Sequence, residues 1–183
     1  MISAEEVVSI YQRLSNRGIQ LWVIGGWGID ALLGEQTRPH KDLDVLMLVD
    51  DVVRTRQFLR SDGYSLKELW SENCWTTDAQ RNKVATAFVL RDAEGHELDA
   101  HAMRLDNEGN GIPAWTVDEG IIFTQQDLDG IGAIAGLTVR CITPEAQMRF
   151  HVDYALPEKH QRDLDRLHER FGVAYPDEIT DNT

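Results

Sequence analysis

Two aspartates one residue apart, Asp42 and Asp44, stand at the head of the apolar run "LDVLML". Residues two apart in a strand share a face, so both carboxylates point the same way, with their Cα atoms ~6.6–7 Å apart. Leu46 and Leu48 continue that face, and Leu43, Val45, Met47 and Val49 form the other. Both faces beyond Asp44 are apolar, which is the pattern of a central strand. Two anions this close repel, and partial burial raises the cost. A divalent cation resolves the conflict. Magnesium suits the position, because it takes one or two carboxylates and completes its shell with water and substrate phosphate. Taken alone, the Asp-x-Asp is more simply a solvated pair in a loop.

The flanking residues make the pair more specific. Gly25-Gly26 follows an apolar strand, Leu21–Ile24, and precedes a short helix, Trp27–Leu33, closed by Gly34. Glycine lets backbone N–H groups approach an anion, and a helix N-terminus attracts phosphate. Between the glycines and the aspartates runs "EQTRPHK", where Arg38, His40 and Lys41 are charge partners for a polyphosphate. A tight turn alone would explain the glycines; glycines followed by an Asp-x-Asp on the next strand point to phosphate and metal together. A third carboxylate lies in "GHELDAHAMRL". There Glu97, Asp99 and His101 share one strand face, opposite Leu98, Ala100 and Ala102. The turn "RDAEG" returns this strand beside the Asp42 strand. Asp99 there can serve as general base or as a further metal ligand.

Elements that position these residues follow from hydrophobic period and breakers. A helix over Ser3–Ser15 is capped by Ser3 and Glu6, with Val7, Ile10, Tyr11 and Leu14 as its stripe. Leu43–Val49 is a strand, Asp51–Ser61 a helix ended by Gly63, and Tyr64–Trp70 a strand. Val84–Leu90 and Glu97–Met103 form a hairpin. "DNEGNGIP" reads as a loop. Short strands are expected at Gly120–Phe123, Gly130–Ala135 and Leu137–Ile142. Thr143-Pro144 opens a helix to about Ala155, and Pro157 opens another, with Leu164, Leu167 and Phe171 on one side and Gly172 as its stop. The order implies an α+β fold, a mixed β-sheet flanked by helices with a C-terminal helical segment. We expect a catalytic domain over 1–142, a packed helical segment over 143–172 and a flexible tail over 173–183.

Bulk composition narrows the partners. Acidic residues outnumber basic ones 31 to 18, a net charge of −13. This argues against a nucleic-acid partner, whose backbone wants a basic surface. It is compatible with a cationic small molecule. The 2 cysteines, Cys74 and Cys141, form no C-x-x-C unit and read as inert packing thiols of a reducing compartment. No apolar run reaches membrane-span length, and the start lacks the pattern of a secretory signal. A cytoplasmic location with no membrane partner is expected.

These residues resemble a known family. Gly-Gly, a short helix, Asp-x-Asp on a strand and a later strand aspartate are similar to the nucleotidyltransferases related to DNA polymerase β. "WVIGGWGIDALLGEQTRPHKDLDVLM" looks like small antibiotic nucleotidyltransferases, the lincosamide type nearest and the aminoglycoside 2''-adenylyltransferase type next. "ELDAHAM" and "VRCITPEAQMRFHVDYAL" extend the resemblance over roughly Leu21 to Leu167. The resemblance implies that Asp42, Asp44 and Asp99 bind Mg2+ (one or two ions) and do the chemistry. Gly25, Gly26 and Arg38 would hold the phosphates of ATP or another NTP. A hydroxyl of a lincosamide or aminoglycoside would accept AMP, with release of pyrophosphate, and a homodimer is compatible with the family. The alternatives are a toxin–antitoxin-type enzyme that modifies a protein and a non-catalytic nucleotide-binding module. "VLML" after Asp44 departs from the lincosamide type, which carries another acid there. The region Asp78–Asn110 matches poorly outside the Asp99 strand.

Other side chains have both a functional and a structural reading. Trp70, Trp75 and Trp115 can stack on a base or sugar, or fill the core and its rim. Trp27 anchors the short helix. Asp30 pairs with Arg38 or Lys41. His101 contacts substrate, orients Asp99, or is structural. His151 and Tyr154 line an acceptor pocket or pack in the core.

Overall fold

The computed structural model describes residues 1–116, 121–150 and 158–175, without the side chains of Glu158 and Lys159. His151 and Tyr154 therefore lie outside the described residues. The chain begins with α1 (Ala4–Ser15), whose N-terminus Ser3 Oγ caps by accepting from the Glu6 N–H. Its buried stripe is Val7, Ile10, Tyr11 and Leu14, as the period predicts. Then follow β1 (Leu21–Ile24), α2 (Gly25–Leu33), β2 (Asp42–Leu48), α3 (Val52–Ser61) and β3 (Ser65–Leu69). β4 (Trp75–Thr77) and β5 (Lys83–Ala85) make a separate two-stranded ribbon. β6 (Ala87–Arg91), β7 (Glu97–Leu105), β8 (Gly111–Pro113), β9 (Gly130–Ile134) and β10 (Leu137–Cys141) complete the strands. α4 (Pro144–Arg149) and α5 (Glu158–Phe171) close the described chain.

One mixed sheet organises all of this, in the order β3-β6-β7-β2-β1-β10-β9, with β8 pairing the far half of β7. β2 sits at its centre, antiparallel to β1 and parallel to β7. The fold is the expected α+β arrangement. Leu43, Val45 and Met47 of β2 and Leu98, Ala100 and Ala102 of β7 face α1, in the main core. Leu46 and Met103 face the other way, with Trp22, Phe123 and Ile142. Trp27 is buried in the main core, where it anchors α2. Ile29 of α2 meets Met148, Leu164 and Leu167, so α4 and α5 dock on α2 rather than on the sheet alone. Among the described residues no helix is long and apolar enough to cross a membrane.

Several boundaries differ from expectation for local reasons. The strand expected over Val84–Leu90 is split at Thr86. Thr86 Oγ1 donates to the Cys74 carbonyl and accepts from the Cys74 N–H, and Asn73 Oδ1 accepts from the N–H groups of Thr86 and Ala87. Side chains thus replace the sheet ladder at that point, and β5 turns away to pair β4. The expected loop at Gly111–Pro113 is β8. Instead of ending a strand over Gly120–Phe123, Phe123 makes a single bridge to Gly111, and 117–120 lie outside the described residues. α4 is assigned only to Arg149, and the expected continuation to Ala155 falls outside the described residues. Phe171 is exposed rather than packed with Leu164 and Leu167, its ring facing the Arg170 guanidinium. Val173 is buried, and Tyr175 stacks on His168.

β9 presses close to α2 at Gly132. A Cβ there would lie 2.8 Å from Ala31 Cβ and nearer still to the Ala31 carbonyl. Backbone cannot yield cheaply, so Gly132→Ala must push β9 or α2 aside. We expect it to lower stability by about 1–3 kcal/mol, read as a lower urea midpoint with an unchanged slope.

Candidate active site

β1 ends where β2 begins. Ile24 pairs with Asp44, and the chain passes straight from Ile24 into α2 at Gly25. The helix thus starts two residues earlier than its apolar pattern suggests and includes both glycines. Gly25 has φ +59°, in the left-handed region. A Cβ on it would lie 3.1 Å from Asp44 Cγ and closer to Oδ2. Glycine is required here twice over, by conformation and by space. The N-cap is Ile24, which has no side-chain acceptor, and the first turn carries no acid. The leading N–H groups of α2 are left for an external anion.

β7 brings the third carboxylate. Its parallel register pairs Asp42 with Glu97 and Asp44 with Asp99. Period two then puts Asp42, Asp44 and Asp99 on one face at one end of the sheet. Asp99 Oδ1 accepts from Trp70 Nε1 at 2.8 Å. His101 continues that face; its Nδ1 is buried, among the described residues without a hydrogen-bond partner, and 3.6 Å from Asp99 Oδ1. Its Nε2 is 3.5 Å from Glu72. Trp115 meets His101 edge-on at 5.0 Å, and Phe123 and Phe150 extend the aromatic wall. Trp75 lies apart, on the β4–β5 ribbon, with Lys83 over its ring.

The intervening basic side chains are all held. Arg38 Nη2 would stand 3.0 Å from a Cβ on Gly26. Its guanidinium grips Asp163 of α5, with Nη2 to Oδ2 at 2.7 Å and Nε to Oδ2 at 3.1 Å. His40 is buried against Gly26, and its Nε2 pairs with Asp30. Asp30 also accepts from Thr37 Oγ1 at 2.6 Å, so its partners are His40 and Thr37, not Arg38 or Lys41. Lys41 Nζ lies 2.9 Å from Glu97 and 3.7 Å from Asp42. Glu97 is itself buried and draws Lys67 and Arg91 as well. Burial pushes its carboxyl up, but Lys41 and Lys67 hold it below the usual range. Sequence reasoning did not find Asp163. An acid in an amphipathic helix reads as solvated, and its partner is 125 residues away.

The electrostatics are those of crowded acids. Burial, then the Asp42 and Asp99 charges, push Asp44 well above the usual carboxylate range, and Lys41 and Arg38 offset only part of this. Burial also raises Asp99, opposed by the Trp70 N–H. Among the described residues Asp44 makes no hydrogen bond or ion pair. Hard carboxylate oxygens on one face, one of them unpartnered, under a glycine that keeps the space open, fit a divalent cation. The trio is not a closed cage. Among the described residues, the one set of three such ligand atoms within 4.8 Å of each other is Glu6 of α1 with Glu94 and His96 of the β6–β7 turn. An open trio still suits an ion that keeps waters and substrate oxygens in its shell.

This geometry can be set beside known proteins. The family described as aminoglycoside-2''-adenylyltransferase matches residues 6–167. The chain belongs to that family. It is a nucleotidyltransferase. A lincosamide resistance protein of Staphylococcus haemolyticus is 26% identical over 166 residues, covering 91% of this chain and 94% of that protein. A 2''-aminoglycoside nucleotidyltransferase of Klebsiella pneumoniae is 46% identical over 43 residues, 22% of this chain and 24% of that one. The lincomycin-bound structure of the lincosamide adenylyltransferase LnuA overlays with TM-score 0.73 at 26% identity, covering 91% of this chain and 96% of that one. The structure of ANT(2'')-Ia with adenylyl-2''-tobramycin overlays with TM-score 0.66 at 20% identity, covering 91% and 87%, and shares the fold.

The crowding of this nucleotidyltransferase's acids has a consequence for stability. Below the ordinary carboxylate range Asp44 is protonated whether folded or unfolded. Above it the unfolded chain ionises first, so stability falls as pH rises until the raised folded value is passed. Without metal at neutral pH, Asp44→Asn should therefore raise Tm, by about 2–4 °C for each kcal/mol relieved. The gain should vanish below the ordinary carboxylate range. Thermal melts in chelator across pH check this; an unchanged or lower Tm for the variant would contradict the crowding.

Proposed function

We propose that the chain moves AMP from a magnesium–nucleoside triphosphate to a hydroxyl of a small antibiotic, a lincosamide first and an aminoglycoside second. The observation that carries this is the in-register placement of Asp44 and Asp99 beside the open N-terminus of α2. Near-complete coverage of a lincosamide resistance protein supports the acceptor class. So does the wall of Trp115, Phe123 and Phe150, which suits an amphiphilic acceptor better than a polyhydroxylated one. The family description and the short, closer match to aminoglycoside enzymes support the second class.

Asp42 and Asp44, with Asp99, would hold one or two ions on the triphosphate. The ion supplies charge neutralisation on the phosphates and on the oxygens that attack and leave. Gly25 and Gly26 present backbone N–H groups to the phosphates, and Arg38 and Lys41 add charge. The acceptor oxygen attacks the α-phosphorus. A new P–O bond forms, the bond to pyrophosphate breaks, and Asp99 takes the hydroxyl proton. Trp70 occupies Oδ1 of Asp99 and so leaves Oδ2 for that proton. The raised affinity of Asp99 for a proton favours this role.

The test is turnover. With magnesium, labelled ATP and panels of lincosamides and aminoglycosides, we expect pyrophosphate and a product heavier by one AMP. Asp42→Asn or Asp44→Asn should abolish turnover without loss of fold. Asp99→Asn should lower kcat on the order of 10²-fold or more with a smaller effect on nucleotide binding. Near-normal rates in the first two variants would remove the metal assignment, and in the third the base.

A further inference from the structure

Asp163 occupies a place that stability alone does not explain. It is 4% exposed, on the face of α5 that carries Leu164 and Leu167 against Ile29 of α2. A buried ion pair repays its desolvation poorly, and apolar residues of similar volume would serve packing as well. What the pair does supply is direction. Asp163 engages the Nε–Nη2 edge of Arg38 and fixes the guanidinium plane. Among the described residues nothing engages Nη1, and the Arg38 side chain is 24% exposed.

The backbone behind Arg38 is also held. Pro39 restricts Arg38 to extended conformations. Gln36 Nε2 donates to the Arg38 carbonyl at 3.0 Å, and the His40 carbonyl accepts from the Ile2 N–H at 3.0 Å. The head group is thereby aimed beside Gly26, at the start of α2.

We propose that Asp163 is a positioning residue, which through its fork on Arg38 aims that guanidinium at the β- and γ-phosphates of the nucleotide. This rests on the nucleotide reading of the site. It makes α5, which carries no part of the aspartate cluster, a structural member of the nucleotide site. Asp30 on His40 and Glu97 on Lys41 repeat the device within the same four-residue stretch.

Calorimetric titration of the full chain with magnesium and ATP, ADP or AMP tests it. Asp163→Asn should weaken ATP on the order of tenfold, ADP less, and AMP by less than about twofold. Arg38→Ala should show the same phosphate dependence. The double variant should be no weaker than Arg38→Ala alone, because Asp163 acts only through Arg38. Glu169→Gln, an exposed acid on the same helix, should bind all three as wild type does. Should Asp163→Asn not fold, Asp163→Glu keeps the charge but moves the fork, and should lose ATP selectively. Equal weakening of ATP and AMP, no weakening, or additive losses in the double variant would overturn the proposal. A wild-type chain that binds none of the three overturns the nucleotide reading itself, and this inference with it.

Discussion

Parallel pairing of β2 with β7 sets Asp44 directly beside Asp99, and antiparallel pairing of β2 with β1 sets Ile24 on its other side. From those two registers the rest of the site follows. The chain must leave β1 at Asp44, so only glycine can take the next position. α2 then begins against the carboxylate, and its uncapped N-terminus opens beside the acids. A slip of one residue in β2 would turn Asp42 and Asp44 into the main core and Leu43 and Val45 out of it. The apolar face of β2, buried against α1, therefore specifies the register that places the acids. Packing on one side of the sheet fixes the chemistry on the other.

The arrangement works against the stability of the empty protein. Burial and the neighbouring carboxylates both disfavour charge on Asp44, and the nearby cations do not reverse that. The reason is geometric. Lys41 divides its charge between Glu97 and Asp42, and Arg38 spends one edge on Asp163. A side chain free to collapse onto Asp44 would relieve the strain and block the site. Held cations cannot collapse, so the charge imbalance persists for a ligand to resolve. Functional sites are where such local conflict is expected, and the surrounding core tolerates it.

Strand alternation is a period of two, and a single glance at "DLDVLML" and "ELDAHAM" assigns every side chain to a face. That is why the shared faces of Asp42, Asp44 and Asp99 were legible, as was the hairpin that carries Asp99; what unites the three is the parallel pairing of β2 with β7. Gly25 was legible as a glycine but not as the start of a helix, because its φ of +59° answers a contact with Asp44 that has no sequence signature. Thr86 and Asn73 broke an apolar run by side-chain hydrogen bonds, which periodicity does not record. Asp163 was the least legible. Its neighbours Leu164 and Leu167 mark the buried face of α5, yet an acid among them gives no sign of whether it meets water or an arginine from the far end of the chain.

On the proposed function, the same pairing explains how a chain of net charge −13 would address a polyphosphate. At physiological ionic strength exposed charges are screened beyond roughly 8 Å, so the distant acidic surface matters less than what stands at the site. There, Arg38, His40 and Lys41 fall within four residues of sequence, each against a carboxylate that is itself buried: Asp163, Asp30 and Glu97. Those acids count in the total charge but not as a repelling surface. They orient the groups they hold: Arg38 and His40 stand beside Gly26, and Lys41 stands between Glu97 and Asp42. Net charge argued against nucleic acid as a partner by its sign. It could not distinguish acids that repel a phosphate from acids that aim the groups binding it, because that distinction lies in burial and pairing rather than in composition.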